Sequence, residues 1–444
     1  MIQAKKQLSS EAIPPVDEPS AAVAYQSMKE RVHQRLVSSL DLASIERVDD
    51  PAVREEVERL SRQIIKESGN LTPGTCAQLY KDLQDELFRL GPLEKFLSDP
   101  AVSDILVNGP NEVYIERNGK LTKTRTVFAD EKHLVRIIQR VVGSVGRRID
   151  RSCPLVDARL PDGSRVNAVL PPLSLDGPKL SIRRFVPSHF NLDVLCACGS
   201  MTRNMSSFLQ AAVEARISIL FSGGTGAGKT TLLSALAGAI PHSERLVTIE
   251  DSAELVLQHP HVVRMETRPS NQEGSGEYTV RDLVRNSLRM RPDRIIVGEV
   301  RGAEAIDMIQ AMNTGHEGSM TTVHANGTKD ALARLELMMA MARIDLPTAT
   351  VREFIAQGIP LVVHLARMRD GMRRITRISE YVSDGKGNIE VQDVFRFVSE
   401  GVSDQGEVLG HFESARRLPN CLDKIREQGV ALESSVFTSV KGGQ

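Results

Sequence analysis

The clearest chemical signal in the sequence lies between Gly223 and Thr230, in the stretch Gly-Gly-Thr-Gly-Ala-Gly-Lys-Thr. An apolar segment, 217–221, precedes it, and a helical apolar pattern through Leu232 and Leu236 follows it. Glycines allow successive backbone N–H groups to converge on phosphate oxygens, and the helix N-terminus adds the positive end of its dipole. This G-x-x-x-x-G-K-[ST] pattern between a strand and a helix predicts a nucleoside triphosphate site.

Two side chains at the end of this loop have separate expected tasks. Lys229 would reach the β- and γ-phosphate oxygens, and the Thr230 hydroxyl is placed to bind Mg²⁺. The residues expected to contact the nucleotide are Gly223, Gly224, Thr225, Gly226, Ala227, Gly228, Lys229, Thr230, Thr231 and His316.

Hydrolysis also requires carboxylates near the phosphates, and two apolar strands further along the chain end in acidic residues. The run 246–249 is followed by Glu250, and the run 295–297 is followed closely by Glu299. Because ligands of parallel sheets bind at the carboxyl ends of strands, both glutamates are expected to face the phosphates. Glu299 is the expected second magnesium ligand, although Gly-Glu replaces the commoner Asp there. The alternative is a solvated strand end or a helix-cap charge.

Two histidines lie in the stretch TGHEGSMTTVHAN, residues 314–326. Zinc binding is disfavoured because the spacing does not match HExxH and no cysteine lies nearby. The catalytic-base interpretation is weakened because Glu250 is better placed for that role. A structural or a sensory role remains. His316 is expected after a helix end, and His324 after a short strand, 319–323, beside the strand that precedes the phosphate loop.

The bulk properties exclude several classes of protein. The formal net charge of the 444 residues is −1, which gives no support for nucleic-acid binding. The five cysteines include no CxxC pair, which disfavours a disulfide framework and suits a reducing cytosol. No apolar run is long enough to cross a bilayer, and the N-terminus lacks a secretory signal. We expect a soluble protein that reaches any membrane through partners.

Changes in composition and periodicity divide the chain into six regions. Alternating helices and short apolar strands predict a parallel α/β domain, preceded by a smaller α+β domain. The helices nearest the N-terminus could form a bundle or a partner-binding appendage. The predicted regions are a disordered lead-in (1–22), a helical region (23–74), an α+β domain (75–186), a linker (187–203), an α/β domain (204–383) and a peripheral C-terminal region (384–444).

Four motifs in order resemble those of the ATPases of type II and type IV secretion and of type IV pili. They are the phosphate loop (Walker A), TIEDSAEL (Asp box), RMRPDRIIVGEVRG (Walker B) and TGHEGSMTTVHAN (His box). The longer stretch of sequence, which continues into DALARLELMM and RMRDGMRRITRISEY, looks like the CpaF-type ATPases of the tight-adherence (Flp) pilus system. The similarity covers residues 75–385.

This resemblance implies a homohexamer in which a PAS-like α+β domain is hinged to a RecA-like P-loop domain. ATP and Mg²⁺ would lie in the cleft between the two domains. Glu250 would orient the attacking water and Glu299 would serve the metal. The His box would relay the state of the γ-phosphate, through His324 more than through His316.

The resemblance also assigns arginines of the smaller domain to the γ-phosphate. In the segment VDARLPDGSRVNAVLPPLSLDGPKLSIRRF, Arg165 and Arg183 align best, and Arg159 and Arg184 are further candidates. An arginine that arrives on domain closure would stabilise transition-state charge. The alternative is ordinary surface charge on two strands.

The leading functional hypothesis is an ATP-hydrolysing motor for assembly or retraction of a type IV/Flp pilus. It would dock on the cytoplasmic face of an inner-membrane platform, with neither nucleic-acid binding nor membrane insertion of its own. The near alternative is a type IV secretion traffic ATPase, which the lack of a four-cysteine insertion leaves open. Two further hypotheses are a nucleotide-binding scaffold without turnover and a DNA-translocating motor.

Overall fold

The computed structural model describes residues 25, 28–29, 31–32, 35–36, 51–67, 72–88, 90–117, 119–185, 190–270, 275–342, 346–415 and 417–437. The expected disordered lead-in, 1–22, lies outside these ranges. The chain divides into two compact units, Met1–Val186 and Pro187–Gln444.

The first unit begins with helices that share a small core of their own. Helix α1 spans Pro51–Glu67 and α2 spans Pro73–Phe88. The apolar side chains that pack together include Val32, Leu36, Val57, Ile64, Ile65, Leu79 and Leu83. A short 3₁₀ helix (Gly91–Leu93) and α3 (Glu94–Leu97) follow.

The rest of the first unit is an antiparallel sheet covered by one helix. Its elements are β1 (Val102–Gly109), β2 (Glu112–Arg117), β3 (Lys120–Lys123), α4 (Glu131–Gly143), β4 (Leu155–Arg159), β5 (Arg165–Val169) and β6 (Lys179–Arg183). The strand order is β3-β2-β1-β6-β5-β4. Asp130 caps α4 by accepting a hydrogen bond from the His133 N–H at 2.6 Å. The apolar face of α4 packs on alternate residues of the strands, and this builds the core of an α+β domain.

The second unit is a larger α/β domain. Its elements are α5 (Leu192–Ala197), α6 (Arg203–Glu214), β7 (Ile219–Gly223), α7 (Lys229–Ala237), β8 (Leu246–Glu250), β9 (Val262–Glu266), α8 (Val280–Ser287), β10 (Arg294–Val297), α9 (Glu304–Asn313), β11 (Met320–Val323), α10 (Thr328–Met341), α11 (Thr348–Gly358), β12 (Leu361–Arg367), β13 (Arg373–Ser383), β14 (Ile389–Val402), β15 (Val408–Ser414) and α12 (Cys421–Glu427). A 3₁₀ helix, Ser434–Phe437, follows. No helix in the described ranges is both long and apolar enough to cross a bilayer.

The nine-stranded sheet of this unit has the order β15-β14-β13-β12-β7-β11-β10-β8-β9. Six adjacent strands run parallel to one another, in the order β12, β7, β11, β10, β8 and β9. Strands β13, β14 and β15 continue the sheet beyond β12 with antiparallel pairing. Every residue of β7, β8, β10 and β11 is buried, because apolar cores cover both faces of the sheet. The mixed α/β fold predicted from the sequence is confirmed.

The C-terminal region differs from the peripheral segment expected for residues 384–444. Strand β14 lies within the sheet, and Phe395 and Phe437 are buried. The Phe437 ring packs against that of Phe208, with the centroids 5.4 Å apart. The Gly- and Ser-rich stretches are the turns between long antiparallel strands, so the region completes the core. Likewise, the expected linker 187–203 contains helix α5.

Candidate functional site

The carboxyl ends of four adjacent parallel strands meet at one edge of the larger sheet. In the register of the sheet, Ser222 of β7 lies opposite Val323 of β11, and Val297 of β10 lies opposite Ile249 of β8. The segments that follow these strands therefore leave from the same edge. These segments carry the phosphate loop, Glu299 and His324, and Glu250 is the last residue of β8.

The phosphate loop has a conformation that needs its glycines. Gly226 and Gly228 have φ angles of +70° and +96°, in the left-handed region that side chains disfavour. A Cβ atom on Gly223 would lie 2.4 Å from the carbonyl oxygen of Leu365. Helix α7 begins directly after the loop, at Lys229. The backbone N–H groups of the loop and the first turn of the helix therefore offer a cradle for phosphate oxygens.

The Lys229 side chain is buried at the base of this loop. Its Nζ donates hydrogen bonds to the carbonyl oxygens of Gly223 at 3.0 Å and Gly224 at 3.1 Å. A third acceptor, His324 Nδ1, lies 3.4 Å away. Burial lowers the pKa of Lys229 from its usual value. The ammonium group is thus already held within the loop that would receive the phosphates.

His324 connects this lysine to the carboxylate that follows β10. The His324 Nε2–H lies 3.2 Å from Glu299 Oε1, while Nδ1 faces Lys229. Burial and the nearby ammonium group lower the pKa of His324, which favours a neutral ring. A neutral ring with its proton on Nε2 satisfies both contacts, because Nδ1 then accepts and Nε2 donates.

The second oxygen of Glu299 is also engaged. Arg301 donates from one guanidinium nitrogen to Glu299 Oε2 at 2.8 Å. Its other terminal nitrogen lies 3.5 Å from Asp251 Oδ2. Arg301 was not among the site residues predicted from the sequence. Its place two residues after Glu299, in GEVRG, is the signal that could have identified it.

Glu250 differs from Glu299 in its environment. Only 5% of the residue is exposed. Its Oε1 accepts hydrogen bonds from the N–H groups of Glu254 and Leu255, both at 2.9 Å. Its Oε2 is buried and has no hydrogen-bond partner among the described residues. Burial raises the pKa of this carboxyl group to about 7, although the two N–H groups oppose the shift.

An apolar cavity of about 240 Å³ lies beside the phosphate loop. It borders Gly228 and Thr231, and its apolar lining includes Leu195, Met201, Leu232, Leu365, Met372 and Ile375. Arg373 lies at its wall and donates from Nε to the Gly226 carbonyl oxygen at 2.9 Å. This arginine is a second residue of the site that was not predicted from the sequence.

Comparison of the sequence with those of known proteins identifies the family of this chain. The sequence profile of the "Type II/IV secretion system protein" family matches residues 86–383. The chain belongs to this family. The resemblance inferred from the four motifs is therefore confirmed at the level of the type II/IV secretion ATPases.

Two proteins with similar sequences support the same family, and a third is a solved structure to which this chain is similar. A Mycobacterium tuberculosis protein named for conjugal transfer is 41% identical over 333 residues, which cover 74% of this chain and 94% of that protein. The type IV secretion system protein VirB11 of Brucella suis is 33% identical over 315 residues, covering 65% and 87% of the two chains. The crystal structure of the VirB11 ATPase of B. suis with sulphate shows 32% identity, covers 65% of this chain and 95% of that chain, and has a TM-score of 0.36.

In this member of the secretion family, His316 does not lie at the edge of the sheet where the carboxyl ends of the four strands meet. His316 precedes β11, and its N–H donates to the Ala311 carbonyl oxygen at 3.1 Å. His324 follows the same strand, which spans roughly 13 Å at the usual rise per residue. The expectation that His316 contacts the nucleotide is therefore corrected, because a strand separates the two histidines.

The arginines singled out in the smaller domain form a row across its sheet. Arg165 of β5 lies opposite Arg183 of β6, and Arg159 of β4 lies opposite Arg165. Directly opposed residues of antiparallel strands place their side chains on the same face. Arg184 belongs to a different arrangement, because it donates to the backbone carbonyl oxygens of Asp99 and Val102.

Proposed function

We propose that this protein is an ATP-hydrolysing motor of a pilus or secretion system. The proposal rests on the phosphate loop, Glu250 and Glu299 lying at one edge of the sheet. Glu250 is buried there, and one of its carboxyl oxygens has no hydrogen-bond partner among the described residues. A nucleotide-binding scaffold has no need of a buried carboxyl group whose pKa is close to 7.

ATP would bind with its triphosphate in the loop and its base in the apolar cavity beside Gly228. Lys229 already lies at hydrogen-bond distance from the loop carbonyl oxygens, so it needs little movement to reach phosphate oxygens. The hydroxyl of Thr230 and the carboxylate of Glu299 supply the oxygen ligands that Mg²⁺ prefers. Mg²⁺, when bound, offsets the negative charge of the β- and γ-phosphates.

Glu250 is the proposed base that orients the attacking water. Its Oε1 is fixed by two backbone N–H groups, so the carboxyl group is held in one orientation. Its buried Oε2 accepts no hydrogen bond from the described residues, so it is the oxygen proposed to accept one from the attacking water. A base whose pKa lies near 7 accepts a proton effectively at neutral pH.

The arginine row of the smaller domain is proposed to complete the site in a homohexamer. Arg165 and Arg183 lie on adjacent strands, and Arg159 extends the row. Guanidinium groups aligned on one face of a sheet suit an anion such as a phosphate. A γ-phosphate that they contact on domain closure would connect hydrolysis to movement.

His324 is the proposed sensor of the γ-phosphate. It contacts both Lys229, which faces the phosphates, and Glu299, which faces the metal. Any shift of either partner on hydrolysis changes the hydrogen bonds of the imidazole. The ring can therefore report the nucleotide state to the segment that follows β11.

We further propose that the motor serves a type IV/Flp pilus at the cytoplasmic face of an inner-membrane platform. The amino-acid sequences of the four motifs support this assignment. The names of the relatives, which include conjugal transfer and VirB11 proteins, support a type IV secretion traffic ATPase as the second candidate. Deletion of the gene distinguishes the two, because loss of surface pili supports the first and loss of conjugation or effector transfer with intact pili supports the second.

The decisive biochemical experiment is steady-state ATP turnover by the purified full-length protein, with its oligomeric state measured by mass photometry. Mg²⁺-dependent phosphate release from a hexamer supports the motor. Tight ATP binding without turnover, under conditions in which the protein is folded and hexameric, contradicts it in favour of the scaffold.

A further inference from the structure

Arg301 joins two carboxylates of the nucleotide edge through one guanidinium group. It donates to Glu299 Oε2 at 2.8 Å and approaches Asp251 Oδ2 at 3.5 Å. The arginine side chain is 60% exposed, whereas those of Glu299 and Asp251 are 19% and 40% exposed. The guanidinium group therefore covers the carboxylates from the solvent side.

The backbone of Arg301 is fixed even though its side chain is exposed. The N–H groups of Arg301 and Gly302 both donate to Glu304 Oε1, at 2.6 and 2.8 Å. The preceding residue, Val300, is buried, and its N–H donates to the Thr322 carbonyl oxygen at 3.0 Å. The side chain can therefore leave Glu299 without any change in the fold, and exposed ion pairs are weak enough to exchange.

Glu299 already has cationic neighbours. Arg301 bridges Glu299 and Asp251, and Lys229 contacts the His324 ring, which in turn contacts Glu299. Both oxygens of Glu299 are hydrogen-bonded, one by His324 and the other by Arg301. A divalent ion that entered alone would have to displace Arg301 from Glu299 Oε2, and the positive charges of both Arg301 and Lys229 would repel it.

We propose that Arg301 is a built-in counter-cation that competes with the divalent metal for Glu299, so that the metal enters together with the triphosphate and not before it. The inference rests on the proposed function, because it takes Glu299 as the metal-side carboxylate. When the triphosphate binds, its negative charge compensates both the metal and the displaced guanidinium group. Arg301 thereby acts as a positioning residue that holds Glu299 ready without trapping a metal ion.

The test is a Mn²⁺ titration of the nucleotide-free, full-length protein, with unbound Mn²⁺ measured by electron paramagnetic resonance. Arg301→Gln should tighten Mn²⁺ binding about tenfold, because one nearby positive charge is removed. Arg301→Lys keeps the charge and should bind Mn²⁺ nearly as weakly as the wild type. With a non-hydrolysable ATP analogue bound, the difference between Arg301→Gln and wild type should fall below about threefold.

Arg285→Gln is the matched control. Arg285 is 53% exposed and donates to Asp307 at 2.8 Å, so the substitution removes a similar ion pair from the same unit. It should leave the Mn²⁺ affinity unchanged. Arg301→Met gives a second neutral variant that keeps the apolar stem, in case Arg301→Gln does not fold.

Glu299→Gln separates this inference from the proposed function. If it abolishes Mn²⁺ binding while both neutral Arg301 variants bind as weakly as wild type, the metal site stands and the role of Arg301 is overturned. If Glu299→Gln leaves Mn²⁺ binding unchanged, the metal role of Glu299 fails, and the inference fails with it. Tighter binding in both neutral variants, reversed in Arg301→Lys, supports the inference.

Discussion

Gly298 leaves open the space that the side chain of Glu250 occupies. A Cβ atom on residue 298 would lie 2.9 Å from Glu250 Cγ, closer than side-chain atoms approach one another. Gly298 follows β10, and Glu250 is the last residue of the adjacent parallel strand β8, in which Ile249 lies opposite Val297. The Gly-Glu at the end of β10, where an Asp is commoner, thus has a structural reason. The glycine makes room for the proposed base, and the following glutamate supplies the second carboxylate.

Gly298→Ala should therefore disturb catalysis without disturbing ATP binding. The added methyl group must displace Glu250, and small misplacements of a catalytic group lower rates by up to about 100-fold. We expect kcat to fall about 10- to 100-fold while Kd for ATP changes little. Steady-state turnover and calorimetric titration with a non-hydrolysable ATP analogue measure the two quantities.

Gly327→Ala is the control for this substitution. A Cβ atom at Gly327 would meet nothing within 4 Å. Turnover should therefore remain close to that of the wild type. Unchanged kcat in Gly298→Ala would show that Glu250 tolerates the crowding or does not act in catalysis.

The sequence was sufficient to predict those parts of the site that local spacing encodes. The phosphate loop depends on neighbours along the chain, and Glu250 and Glu299 follow buried strands whose carboxyl ends must meet in a parallel sheet. The contact between Gly298 and Glu250 and the bridge from Arg301 to Asp251 were not predictable. They join residues from different strands, and only the register of the sheet brings those residues together.

The same distinction explains two of the expectations that the structure changed. His316 and His324 are close in sequence, but an extended strand separates them, so sharing one motif did not mean sharing one site. The region beyond residue 383 was expected at the periphery because of its turn residues. Its long strands and its aromatic contacts, such as Phe208 with Phe437, depend on partners far away in the sequence.

The pH dependence of turnover should report the ionisation of Glu250. Burial raises the pKa of its carboxyl group to about 7, and only the ionised form can accept a proton from water. We therefore expect kcat to rise with pH through about 7 and to fall below it. Burial and the nearby Lys229 lower the pKa of His324, so its ionisation would act at a lower pH than that of Glu250.

Glu250→Gln tests the same assignment by removing the base. The variant should bind ATP as the wild type does, and kcat should fall by about 10²- to 10⁴-fold. The rise in kcat through neutral pH should disappear from its residual activity. A wild-type pH profile without that rise, or undiminished turnover in Glu250→Gln, would refute the role as base.

Lys229→Ala should weaken ATP binding and turnover together. The ammonium group contacts two loop carbonyl oxygens and lies where the β- and γ-phosphates would enter, so its loss affects ground state and transition state alike. We expect a loss of at least about 100-fold in kcat/KM. Equilibrium binding of a fluorescent ATP analogue and phosphate release measure the effect. Tight binding with normal turnover would exclude this loop as the nucleotide site.

His324→Ala should reduce turnover moderately and make Glu299 less well ordered. The imidazole orients the carboxylate and connects it to Lys229, and partners of this kind change activity by about 10- to 100-fold. We also expect ATP to stabilise the variant less than the wild type in thermal unfolding with Mg²⁺ present. His316→Ala is the matched control and should retain turnover. A silent His324→Ala variant would end its role as sensor.

Arg183→Ala should lower kcat more than it lowers the affinity for ATP. Arg183 and Arg165 lie opposite each other on adjacent strands of the smaller domain, so their proposed contact with the γ-phosphate depends on domain closure. Contacts that form mainly in the transition state appear in kcat, and arginines in this role contribute up to about 10³-fold or more. Arg117→Ala, on strand β2 of the same sheet, is the control and should leave both constants unchanged. Equal losses in binding and kcat for Arg183→Ala would instead indicate a ground-state contact, and no loss in either would assign the row to surface charge.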